Sequence, residues 1–121
     1  MNRVEQSTQI AVVDFLRIAL PRDVIFFAVP NGGYRTRAEA ALTKAMGGLA
    51  GVPDLAFILP PNGTAAFIEM KSATGTLSPN QRAFRDRANV AGACWAECRS
   101  LADVIATLKL WGVKLRATVN V

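Results

Sequence analysis

Two apolar segments, residues 55–59 and 65–70, stand on either side of Pro60-Pro61-Asn62-Gly63. Proline fixes φ and removes a ladder donor, while Asn-Gly accepts left-handed backbone, so the four residues can only turn the chain and the flanks must pair as an antiparallel hairpin. Symmetry about Pro61-Asn62 sets Leu59 opposite Thr64, and the same register carried down the ladder sets Asp54 opposite Glu69. Strand alternation then puts Lys71 on the face of Glu69 and Met70 on the other. Directly opposed residues have Cβ atoms roughly 4.5 to 5.5 Å apart, too close for two uncompensated carboxylates and close enough for one cation to be bound by both.

The remaining chain supplies helices and further strands. Residues 3–20 show helical spacing of Ile10, Val13, Leu16 and Leu20, with Asn2 as N-cap, Glu5 three residues later and Pro21 as the stop. Residues 24–29 predict a buried strand, ended by Pro30-Asn31-Gly32-Gly33. Thr36 with Glu39 opens a helix over 37–46 that Gly47-Gly48 closes, and Ser78, Pro79 and Gln81 take the N-cap, N1 and N3 positions of a helix running to 91, where Gly92 ends it. A short strand follows at 93–97. Ser100 and Asp103 begin a last helix to Trp111, and residues 113–121 add an edge strand or a loose tail. With no repeat or linker, the expectation is a single α/β domain over residues 1–121. Its central sheet is mixed and flanked by helices, because the crossover through 79–91 makes one strand pair parallel.

Composition narrows the chemistry. Half of the 121 residues are apolar, enough for one core. No stretch reaches the roughly 18 apolar residues of a membrane span, and residues 1–9 carry no signal-peptide apolar segment, so a cytoplasmic protein is expected. Fourteen Lys and Arg against nine Asp and Glu give a charge of +5, which suits polyanionic partners. Cys94 and Cys98 are too few for a disulfide framework and lack zinc-site spacing. Histidine is absent, which removes His-based triads and His-metal hydrolases together. A metal must therefore be held by oxygen, and a nuclease using such ligands takes magnesium or manganese.

At the hairpin end, Asp54 and Glu69 would hold the ion that polarises a scissile phosphate and activates water, and Lys71 would orient that water or neutralise developing charge. Lysine as the base itself would need a pKa far below its ordinary value of about 10.4, so orientation is the favoured role. Each residue also has a plainer reading. Asp54, Glu69 and Lys71 could form a structural ion pair, Glu5 could cap its own helix, and Gln81 is an ordinary capping-box residue. Yet Glu5 falls on the helical stripe of Gln9, Val12 and Leu16, where a carboxylate needs a partner. Asn31-Gly32-Gly33 could be only a turn or a loop that lets main-chain amides approach phosphate, an idea that Arg35 and Arg37 beside it strengthen, whereas Arg82, Arg85 and Arg87 suit a solvated helix face.

Gly51-Val52-Pro53-Asp54, followed after fourteen residues by Glu69-Met70-Lys71, resembles the motif of the PD-(D/E)xK nucleases. More closely, the chain resembles the virus-type replication-repair nuclease (VRR-NUC) family over about residues 5 to 95, through Glu5, Asn31-Gly32, Gly51 with Asp54, Glu69 with Lys71, and Gln81. That resemblance implies a restriction-endonuclease-like domain with Asp54, Glu69, Lys71, Glu5 and Gln81 at the catalytic site. The metal set it implies is Asp54, Glu69, the Met70 main-chain carbonyl and Glu5, holding Mg2+ or Mn2+. The substrate it implies is repair-related DNA, branched as in four-way junctions, cut by a homodimer as stand-alone members do. A non-catalytic DNA-binding protein of the same fold and an RNA-processing nuclease stay open as alternatives. Two Trp, one Tyr and six Phe, mostly in core-like runs, argue against an aromatic stacking platform for bases.

Overall fold

The sheet is built outward from the hairpin. In the structure, a computed structural model describing residues 3–30 and 36–117, β2 (Leu55–Leu59) pairs antiparallel with β3 (Thr64–Met70), with Leu59 opposite Thr64 and Leu55 opposite Ile68. β1 (Ile25–Ala28) adds antiparallel to the free edge of β2, and β4 (Cys94–Cys98) adds parallel to β3, giving the order β1-β2-β3-β4. The helices are α1 (Arg3–Ala19), α2 (Arg37–Ala45), α3 (Pro79–Ala91) and α4 (Leu101–Leu110). The expected single α/β domain with a mixed sheet is what forms.

Alternation along the hairpin decides where the core lies. Leu55, Phe57 and Leu59 of β2, with Ala66, Ile68 and Met70 of β3, meet Val12, Phe15 and Leu16 of α1 and Val104, Ile105 and Leu108 of α4. Each large side chain fully removed from water here contributes about 1.5 to 3 kcal/mol. The opposite face is covered at β3 and β4 by α3, where Phe67 meets Phe84 edge-on at 5.0 Å between centroids. α3 is bounded by local chemistry: Ser78 and Gln81 form a reciprocal capping box, Pro79 holds N1, and Gly92 closes the helix at φ 88°. Thr36 and Ser100 cap α2 and α4 by accepting the Glu39 and Asp103 N–H groups.

Burial departs from expectation at three places. β1 is not a buried strand: Ile25 and Phe27 are about half exposed, because β1 is the sheet edge and α3 covers only the β3 and β4 side. In α1 the inward stripe is Val12, Phe15, Leu16 and Ala19, while Ile10 faces solvent. Residues 113–117 form no strand; they strap across the end of α1, where the Arg116 N–H donates to the Ala19 carbonyl at 2.7 Å. The expected Asn2 cap, the Asn31-Gly32-Gly33 turn, Arg35 and residues 118–121 lie outside the described residues. No helix among the described residues is long and apolar enough to cross a membrane.

Candidate active site

The two hairpin acids are the only buried charged residues among those described, Asp54 at 7% and Glu69 at 4% exposure. Both sit at the end of the ladder away from the turn. Asp54 is fixed there by its main chain, whose carbonyl accepts the Val29 N–H at 2.8 Å, and by its side chain, whose Oδ2 accepts the Met70 N–H at 2.8 Å. That second bond reaches across the ladder beside Glu69, as the register requires.

Glu69 is held differently. Its Oε1 accepts from Gln81 Nε2 at 3.1 Å and lies 3.8 Å from Lys71 Nζ, a loose ion pair on the shared strand face. Its Oε2 is buried and accepts no hydrogen bond. Burial first, then the charge of Asp54, pushes the Glu69 carboxyl up to about 8, with Lys71 pulling the other way. Burial also raises Asp54, against the Met70 N–H that favours its charged form. Burial thus holds both facing carboxyls above the usual carboxylate range.

Gln81 does two things at once. Its Oε1 accepts the Ser78 N–H at 2.8 Å in the capping box, which leaves Nε2 for Glu69. α3 can bring its first turn this near because Gly51 lacks a side chain: a Cβ there would stand 2.3 Å from the Asn80 carbonyl oxygen. Glu5 arrives from α1, with its Oε1 accepting the Ser72 N–H at 3.1 Å. A cleft of about 760 Å³ joins these groups, lined among others by Glu5, Lys44, Asp54, Glu69, Lys71 and Gln81.

All five side chains expected at the site thus border one cleft. Glu5, however, is engaged by Ser72, and among the described residues no three acidic, His or Cys side chains are grouped as an ion cage. The donor chemistry fits a hard divalent cation at the Asp54–Glu69 pair, where two facing carboxylates and the bare Glu69 Oε2 need a proton or a cation between them. Further ligands would have to come from main-chain carbonyls such as Met70, from water or from phosphate. Met70 itself sends its side chain into the core.

Of the arginines, Arg82 donates to the Leu77 carbonyl and Arg85 pairs with Asp86 and overlies Trp95, so neither points at the acids. Sequence reasoning missed Lys44 on α2 and the group formed by Ser72, Glu97 and Arg99. Only the pairing of β3 with β4 brings the latter to Lys71.

The family model of the VRR-NUC domain matches residues 2–102. A solved structure described as a VRR_NUC domain protein is 20% identical, with a TM-score of 0.73 over 92% of this chain and 89% of its own. A second, described as a VRR_NUC domain, is also 20% identical, with a TM-score of 0.58 over 89% of this chain and 97% of its own. At that identity the likeness shows a common fold. No protein of curated function matches the sequence.

Proposed function

We propose that this chain, which belongs to the VRR-NUC domain family, is a metal-dependent DNA endonuclease that hydrolyses phosphodiester bonds, selectively at branched structures such as four-way junctions. The observation that carries the reading is the pair of buried, facing carboxylates with Lys71 beside them. Buried acids placed against each other weaken a fold unless something positive binds there.

Asp54, Glu69 and the Met70 carbonyl would hold Mg2+ or Mn2+, with Glu5 in reach from α1. When bound, such an ion polarises the phosphate and lowers the pKa of water. The chain's own residues do the rest. Gln81 and the Met70 N–H fix the two carboxylates in orientation, so little reorganisation is needed as the reaction proceeds. Lys71 brings a positive charge to the cleft where charge develops on the phosphate, with its Nζ 3.8 Å from Glu69 Oε1. The charge of +5 supplies general attraction for DNA. A homodimer, offering two clefts to a branched duplex, and a cytoplasmic location complete the proposal.

The test is a cleavage panel. Purified protein is offered four-way junction, flap, linear duplex, single-stranded DNA and RNA with magnesium, manganese, calcium or EDTA. Junction cutting with the first two ions and none in EDTA is expected. Full cutting in EDTA would reject the mechanism, binding without cutting would favour a non-catalytic DNA-binding protein, and preference for RNA would move the substrate class.

A further inference from the structure

β3 and β4 run parallel, with Glu69 beside Glu97 and Met70 beside Cys98. One step on, the Lys71 N–H donates to the Cys98 carbonyl at 2.9 Å, which brings Lys71 alongside Arg99. In-register parallel neighbours project to the same face, so Glu69-x-Lys71 is flanked by a second set of the same form, Glu97-x-Arg99. Two adjacent cations would repel each other and compete for Glu69.

The structure directs the second cation elsewhere. Arg99 Nη2 engages the Glu97 carboxylate, and Arg99 Nη1 donates to the carbonyl of Ser72, the residue immediately after Lys71. Ser72 is held from the other side as well, since its N–H donates to Glu5 Oε1 at 3.1 Å. Its hydroxyl accepts the Gly75 N–H at 3.1 Å, which folds the following loop back on itself. One residue therefore ties α1 to the residue that follows β4, directly after Lys71 and just past the end of β3.

We infer that Arg99, oriented by Glu97, is a positioning residue of the nuclease site: by gripping the Ser72 carbonyl it sets where the Lys71 side chain stands just past β3 and where Glu5 docks. The inference rests on the nuclease reading above. A planar guanidinium can serve a carboxylate and a carbonyl at once, which a single ammonium does poorly. The pair is too exposed to matter much as a salt bridge for stability, with Arg99 and Glu97 side chains at 34% and 25% exposure. Its value lies in placement, and a misplacement of about 1 Å can cost on the order of 100-fold in rate.

The experiment compares the full chain with Arg99→Met, Arg99→Lys and Glu97→Gln. It measures kcat and KM on a junction with magnesium, DNA affinity in EDTA across a salt series, thermal unfolding, and amide exchange of residues 71–75. Arg99→Met should lose about 10- to 100-fold in kcat, with KM and the salt dependence of binding unchanged and exchange of 71–75 accelerated. Arg99→Lys should not restore the rate, and Glu97→Gln should fall between. Normal kcat with normal exchange in Arg99→Met overturns the inference. So does a loss confined to KM and affinity with a salt slope reduced by about one, which marks a phosphate contact instead. If Arg99→Met does not fold, Glu97→Gln decides, and full kcat there overturns it. A wild type that cuts nothing defeats the nuclease reading and this inference together, whereas equal cutting by wild type and Arg99→Met defeats this inference alone.

Discussion

Asp54 and Glu69 face each other across the β2–β3 ladder with unequal support: Asp54 Oδ2 takes the Met70 N–H at 2.8 Å, while Glu69 Oε2 is buried without a donor. A cation bound between them would meet two carboxyls that burial raises and that differ in their hydrogen-bond support.

The first consequence is a pH dependence of folding in the metal-free protein. The Glu69 carboxyl titrates at about 8 in the fold against 4.5 for an ordinary glutamate. Between those values the folded chain keeps a proton that the unfolded chain has lost. Stability from this group is therefore full below about 4.5, declines as pH rises toward about 8 by at most about 1.4 kcal/mol per pH unit, and is level beyond. Denaturant midpoints in EDTA should fall across that window for wild type and fall less steeply for Glu69→Gln, in which only the burial-raised Asp54 remains. Magnesium affinity should rise with pH over the same range, because binding displaces the proton. A wild-type midpoint that does not move with pH would show that Glu69 is ionised in the fold.

Asp54→Asn keeps the shape of the side chain and, through Oδ1, an acceptor for the Met70 N–H, while deleting the charge that attracts a cation. Cleavage should drop by orders of magnitude with the fold intact. Binding to DNA in EDTA should hold or tighten, since a charge repelling phosphate is gone. Lys71→Ala should also end turnover but weaken binding slightly. Gel shifts and melting curves on both variants check this; an Asp54→Asn protein that cuts normally, or that unfolds, would make Asp54 structural.

Gly51 tests how closely α3 must approach. It has φ +84°, and an added Cβ would stand 2.3 Å from the Asn80 carbonyl oxygen; Gly47, at φ +101°, has nothing within 4 Å of the same position. Gly47→Ala should cost only the backbone strain, about 1 kcal/mol. Gly51→Ala should cost at least about 1 kcal/mol more and reduce cleavage, because it pushes the Gln81 turn away from Glu69. Equal unfolding midpoints for the two variants would mean that the contact yields without consequence.

The hairpin register and the ends of α3 were legible in the sequence because their causes are local: Pro60-Pro61-Asn62-Gly63 fixes one, and Ser78, Pro79, Gln81 and Gly92 fix the other. Once register is known, Asp54 against Glu69 follows without any tertiary knowledge. Burial of β1 and Ile10 was misread because it depends on what other elements cover, and Ile25 and Phe27 look the same in sequence whether a helix lies over them or not. Glu97 and Arg99 were invisible for a related reason. A crossover through a helix makes strands parallel but does not fix their register, so the alignment of Glu69 with Glu97 appears only in the folded sheet.

Gln81 was the residue whose capping and site readings could not be separated by pattern, and in the structure it bonds both Ser78 and Glu69, through different atoms. Gln81→Glu separates them. A carboxylate oxygen can still accept the Ser78 N–H, so the capping box and the start of α3 survive. The donor to Glu69 Oε1 is lost, and a third acid is added beside two whose carboxyls burial already raises. Gln81→Ala loses cap and donor together, at a cost of about 1 kcal/mol for the cap. Melting curves should therefore place Gln81→Glu at or above Gln81→Ala at pH 5, where the added acid is partly neutralised, and below its own pH 5 value at pH 8. Cleavage at saturating magnesium should fall in both variants. If Gln81→Glu cuts DNA at the wild-type rate, the Nε2 contact does nothing for the reaction and Gln81 is a helix cap alone.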